Sequence, residues 1–218
     1  MLLKRLLVFP LLLPSCMLYA EGDTLKKYTA VRVSEAPKID GKLNDAAWSK
    51  ANVISDFVMN RPTEGGVPTQ RTEVRVVYNN SAIYVGAMLY DTSPDSILRE
   101  LGLRDGADPS SNSGFTDINA DYFRFVVDPY NTRQDAYDFG VYASGVQADS
   151  RFSDALFDAV WHSAVQITKE GWSVEIEIPY SAIRFPKKPV QQWALQFTRN
   201  IKRIRESDQW NLTPSTAY

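Results

Sequence analysis

Between Trp161 and Ile178 the sequence alternates with a period of two, broken once. Trp161, Ser163, Val165 and Ile167 fall on one side of the first run. After Lys169-Glu170-Gly171, the residues Trp172, Val174, Ile176 and Ile178 fall on one side of the second, with Ser173, Glu175 and Glu177 on the other. Successive Cβ atoms of a strand point to opposite faces of a sheet, so this pattern specifies strands. Two such runs around a Gly-bearing turn specify a hairpin. Trp193, Leu195 and Phe197 repeat the alternation. Apolar faces of this length need a second layer to cover them, and no long helical period exists elsewhere in the chain to supply it.

The remaining segments read the same way. Residues 28–33, 54–59, 72–78, 82–90, 122–127 and 136–143 are rich in β-branched and aromatic residues and bounded by turn formers. Asn79-Asn80-Ser81 joins two of them as a hairpin, and Asp128-Pro129-Tyr130-Asn131 makes a turn. Asn44 is placed to cap a short helix over 45–50, and 96–101 suits one or two helical turns. Residues 60–71 and 102–120 read as loops, the second long and surface-exposed. Roughly ten short strands with one or two short helices predict an all-β fold, a jelly-roll-like β-sandwich.

The first 20 residues stand apart. Lys4 and Arg5 precede a charge-free run from Leu6 to Ala20, too short to span a bilayer and interrupted by Pro10 and Pro14. This is the layout of a secretory signal peptide cleaved after Ala20, which sends the chain to the periplasm or outer membrane. Cys16, the only cysteine, follows a partial lipoprotein-box sequence, so lipidation there is an alternative. Residues 21–27 read as a flexible lead-in and 28–210 as the sandwich. Residues 211–218 read as a tail that could begin a following barrel.

Composition narrows the chemistry. A formal net charge of −2 gives no basis for binding nucleic acid. The single histidine, His162, rules out a His-rich metal site. Neighbouring Ser153, Asp154, Asp158 and Ser163 lack the nucleophile elbow a serine hydrolase needs. Glu175 and Glu177 are two residues apart on one strand face, which reads as a solvated face. Catalytic carboxylates need unlike environments to split their pKa values. Asp105, Asp108, Asp117 and Asp121 flank the long loop. A solvated acidic loop is the plain reading and calcium the alternative, since calcium favours several oxygens in a flexible loop. Trp48, Trp161, Trp172 and Trp193 read as core. Arg199, Lys202, Arg203 and Arg205 read as a solvated basic cluster near the end of the fold.

Ile39-Asp40-Gly41-Lys42-Leu43-Asn44-Asp45-Ala46-Ala47-Trp48 resembles the opening motif of the family 9 carbohydrate-binding modules. The run 74–85 (VRVVYNNSAIYV) resembles their next hairpin, and 171–180 (GWSVEIEIPY) their late signature. Residues 128–131, 139–141, 145–149, 157–161 and 183–186 resemble a subgroup in which such a module precedes an outer-membrane β-barrel. The resemblance spans about 30–210. It implies a β-sandwich that binds an oligosaccharide or glycan without catalysis and needs no cofactor. Carried over by position, it places carbohydrate contacts at Asp121, Arg124 and Trp210. Ile118 stands where the family has a sugar-clamping Trp, Arg124 where it has an acid, and Gly140 where it has an Arg. Those departures imply a second function class, a structural or gating domain packed on a barrel of the same full-length protein.

Overall fold

The computed structural model describes residues 25–105 and 118–213. Eleven strands form two sheets among the described residues. The first sheet has the order β1 (Val31–Arg32), β3 (Thr72–Tyr78), β4 (Ala82–Tyr90), β9 (Gly171–Pro179), β8 (His162–Thr168). The second runs β2 (Val58–Arg61), β11 (Glu206–Gln209), β10 (Ala194–Ile201), β5 (Tyr122–Asp128), β6 (Tyr137–Tyr142), β7 (Gln147–Arg151). All pairs are antiparallel except β1 with β3. The fold is therefore an all-β sandwich, with a single α-helical turn, α1 (Ala46–Ser49), and two 3₁₀ turns among the described residues. No described helix is long and apolar enough to cross a membrane.

The alternation sets the register. Leu89 pairs with Trp172, Ala87 with Val174, Val85 with Ile176 and Ile83 with Ile178, so β4 and β9 turn the same apolar rows inward. Phe123, Phe125 and Val127 of β5, Phe139 and Val141 of β6, and Phe197 of β10 meet them from the other sheet. Phe197 stacks between Phe123 and Phe125, its centroid 6.0 and 5.5 Å from theirs. Burial of such side chains contributes ~1.5–3 kcal/mol each. Trp48, Trp161 and Trp172 are buried as expected. Trp193 is half-buried at the rim, tilted against Phe185.

Several boundaries differ from the sequence reading, each for a physical reason. Ile54 makes only an isolated bridge to Val74, and β2 starts at Val58. The N-cap position of α1 is Asp45 rather than Asn44, and the Asp45 carboxylate accepts the Lys38 amide instead of capping the helix. Strands β7 and β11 went unread because their sequences, QADSR and ESDQ, carry almost no apolar residues. Strand β11 nonetheless buries Glu206 and Asp208. Lys26, expected in a flexible lead-in, is tied down. Its amide donates to Asn211 Oδ1 (2.9 Å) and its ammonium to the carbonyls of Trp210 (2.6 Å) and Asp56.

Candidate functional site

Two outer faces are available, one on each sheet, and the first is already covered. The side chains of β9 opposite the core point out of the five-stranded sheet, yet Glu175 is fully buried there. This corrects the expectation of a solvated carboxylate. Glu175 Oε2 accepts the amides of Asp40 (2.9 Å) and Gly41 (2.7 Å), and Oε1 accepts Trp48 Nε1 (2.8 Å). Ser173 Oγ donates to Gly41 O (2.6 Å). The opening motif is thus folded over the sheet and bound by the late motif. Trp48 lies over Gly86, where a Cβ would come within 3.1 Å of its ring and 2.7 Å of Leu43. Gly41 adopts φ +84°, and a side chain there would press on the Val165 backbone. Burial pushes the Glu175 carboxyl up, opposed by its three donors. This carboxylate is a structural acceptor. Glu177 takes the hydroxyl of Tyr84 (3.3 Å) and lies 3.2 Å from His162 Nδ1.

A groove of about 560 Å³ remains beside this cover, floored by Met88, Tyr90 and the edge of Trp48 and rimmed by Glu73 and Arg75. At that rim Glu73 pairs with both Arg71 and Arg75. Arg71 also lies 3.9 Å over the Tyr90 ring.

The outer face of the six-stranded sheet is polar. By register, Asn200, Tyr122 and Tyr142 form one row across it. Gln209, Thr198, Arg124, Gly140 and Ala148 form the next. Gln196, Val126, Asp138 and Ser150 form the third. Arg124 sits at the centre. Gly140 opposite it leaves room for the guanidinium to reach diagonally to Asp138, with Nε to Oδ1 at 3.2 Å and a second bond from Nη2 to Oδ2. The Arg124 side chain is one-quarter exposed and that of Asp138 almost wholly buried. Ile118 packs with Ala120, Tyr122, Tyr142, Val146 and Ala148 at one end of the face. The position of the expected clamp is thereby filled by an aliphatic side chain, Ile118, packed among small residues and two tyrosines. At the other end Gln196 bonds Asn211, and Gln209 accepts the Thr213 amide, so residues 211–213 run along the face.

Of the three residues carried over by resemblance, only Arg124 reaches this face. Asp121 is fully buried on the opposite side of its strand, accepting the Lys202 amide (2.9 Å). Burial pushes its carboxyl up to about 6. Trp210 is also buried, tilted against Phe197 at 5.9 Å, with Nε1 donating to Asp56 (2.8 Å). Neither can stack on or bond to a ligand from outside. Position relative to neighbours in sequence could not reveal this, because Trp210 follows β11, a strand with no apolar signal. The basic cluster is likewise corrected. Arg199 is 1% exposed inside the sandwich, and Arg203 grips Asp91 with both terminal nitrogens at 2.7 Å.

Of the acidic residues flanking the long loop, the described ones, Asp105 and Asp121, share no cluster. Asp108 and Asp117 lie outside the described residues, and Asp121 points inward. Asp105 instead meets Asp149 and Asp158, with ligand atoms within 4.8 Å of one another. The Arg104 guanidinium already lies among these three carboxylates, 2.7 Å from Asp149, 3.0 Å from Asp105 and 3.4 Å from Asp158. Asp149 also accepts Ala159 N and Trp161 Nε1. A calcium ion would have to displace a cation that is part of the fold.

A family model described as carbohydrate family 9 binding domain-like matches residues 39–210. Among solved structures, a family 9 carbohydrate-binding module from Caldicellulosiruptor kristjanssonii in complex with cellotriose is similar at 17% identity. It covers 84% of each chain with a TM-score of 0.56. The same organism's module in complex with glucose has a TM-score of 0.55 at 17% identity over 84% of this chain and 85% of that one. A Bacteroides uniformis protein named for carbohydrate binding has a TM-score of 0.61 at 11% identity, covering 83% and 87%. These likenesses concern the fold. No curated protein matches the chain.

Proposed function

Because the chain belongs to the carbohydrate family 9 binding domain-like family, we propose that it is a non-catalytic module of an exported envelope protein that binds a glycan. The ligand lies on the outer face of the six-stranded sheet. The observation that carries this reading is the row Gln209, Thr198, Arg124, with Asp138 beside it, which gathers donors and acceptors on one polar face that is partly exposed at Gln209 and Arg124. Sugar hydroxyls need both, at fixed spacing. The similar modules hold cellotriose and glucose, which makes a short glucan the first ligand to try. With Trp210 in the core and Ile118 at the clamp position, hydrogen bonds rather than ring stacking hold the sugar.

Calorimetry of the full chain against cellotriose and a broad glycan panel tests this. Thr198→Arg, which blocks the face, and the Arg124→Gln/Asp138→Asn pair, which keeps the contact while removing its charge, each weaken binding at least ~10-fold. A folded wild-type chain silent across the panel ends the glycan reading.

A second reading has its own support. Ile118 at the clamp position and the burial of Trp210 suit equally a structural or gating domain that packs on an outer-membrane β-barrel of the same protein. Export is common to both readings, and N-terminal sequencing of the periplasmic product should begin at Glu21. Retention in the cytoplasm with Met1 intact counts against both.

A further inference from the structure

One end of the sandwich interior is charged. Asp91, Asp121, Glu206 and Asp208 are each at most 5% exposed there, together with Arg199. Arg203 is consumed by Asp91. Arg199 reaches across to the first sheet, donating to Arg71 O (2.9 Å), Thr72 Oγ1 (3.2 Å) and Tyr90 O (2.6 Å). On β10 it stands directly opposite Asp208 of β11. Two guanidinium groups therefore face four carboxyls, and full ionisation would bury uncompensated negative charge.

Asp208 is where the excess falls. It is fully buried, and neither of its oxygens accepts an N–H or O–H from any described group. Its neighbour is the Glu206 carboxyl, two residues away on the same buried face of β11. Two acceptors at that separation attract only if one carries a proton. Glu206 Oε1 in turn accepts the amide (2.8 Å) and hydroxyl (3.0 Å) of Thr69, at the end of the loop before β3.

We propose that Asp208 and Glu206 form a proton-operated latch between β11 and the loop ending at Thr69. One shared proton holds the two carboxyls together, and its removal drives them apart and frees the loop. Desolvation, then the Glu206 charge, pushes the Asp208 carboxyl from 3.8 up to about 7, with Arg199 opposing. A carboxyl raised on folding contributes stability that is present in acid and lost as pH climbs through its folded value. The latch is therefore closed below about 7 and open above it. Asp121, raised to about 6, titrates earlier and contacts Lys202 rather than Thr69.

The test is hydrogen exchange at the Thr69 amide in the full chain, with a chelator present, from about pH 5 to 8.5 alongside thermal melts. After correction for intrinsic exchange, wild type loses protection at Thr69 and several degrees of melting temperature as pH passes about 7. Asp208→Asn, nearly isosteric and permanently uncharged, removes the step near pH 7 from both readouts and leaves the lower one due to Asp121, and Glu206→Gln removes the same step. The infrared band of a buried protonated carboxyl, present near pH 7 and gone well above it in wild type and already missing near pH 7 in Asp208→Asn, separates the pair from Asp121, which titrates lower. Parallel profiles for wild type and Asp208→Asn, or absence of that band, overturn the latch. So does calcium restoring protection at high pH in wild type but not in Asp208→Asn, because a metal ion would then be the group the pair holds.

Discussion

Glu175 does more for this fold than its place in an alternating strand suggests. It is a charged residue with three donors converging on it from a segment about 130 positions earlier in the chain. Glu175→Ala would leave two backbone amides and an indole N–H buried without acceptors, and each such group costs ~1–3 kcal/mol. A loss of roughly 3 kcal/mol or more is expected in urea unfolding. Glu175→Gln, which keeps one acceptor oxygen, should lose less. Equal losses for the two would mean that the hydrogen bonds are not what the carboxylate contributes. The recurrence of the opening and late motifs in one family then has a physical cause: they are two halves of one contact.

At the scale of elements, the turn after β5 shows the same economy. Asp128 Oδ1 accepts the amides of Tyr130 (2.9 Å) and Asn131 (3.0 Å), and Oδ2 those of Thr132 (2.6 Å) and Arg133 (2.7 Å). These bonds hold Asn131 and Arg133 at positive φ, +56° and +60°, which costs a non-glycine residue energy. Asp128→Ala should destabilise by ~2–4 kcal/mol and raise exchange at all four amides while leaving β8–β9 protected. Protection lost evenly across the molecule would show that the turn is not a separable unit. The strands themselves were legible wherever apolar residues alternate, as in β4, β9 and β10. Strand β9 hid one thing: its Ser173 and Glu175 side is also covered, and a polar residue in a period-two pattern looks the same whether water or a peptide amide lies over it. Strands β7 and β11 escaped because their inward positions hold Asp and Glu partnered by Arg, Trp or another carboxyl. Hydrophobic period cannot mark such positions.

For the molecule as a whole, the two sheets are joined by apolar packing along most of their length and by Arg199 at the charged end. Removing one partner of a buried charge group is far costlier than the group's net contribution. Arg199→Ala should therefore cost ~3–5 kcal/mol, seen as coincident shifts in Trp fluorescence and far-UV circular dichroism. Non-coincident shifts would mean that the sheets can part independently. The ligand face was only partly legible. Arg124 lies on the outer side of the six-stranded sheet, whereas Asp121, just before β5, and Trp210, just after β11, are buried in the interior. A one-residue change of parity exchanges core for solvent, and no local pattern announces which side a lone Trp beyond a polar strand will take.

Lys26 and Asn211 share a hydrogen bond although nearly the whole domain lies between them. The polypeptide thus arrives and departs at one spot, like the loop of cord that holds a pendant. Tension applied on both sides would be borne first by Lys26, with its hold on Asp56, Trp210 and Asn211, and by Thr213, with its bonds to Gln209 and Asn60, before any strand was peeled from its neighbour. The body could swing about that point with its sheets undisturbed.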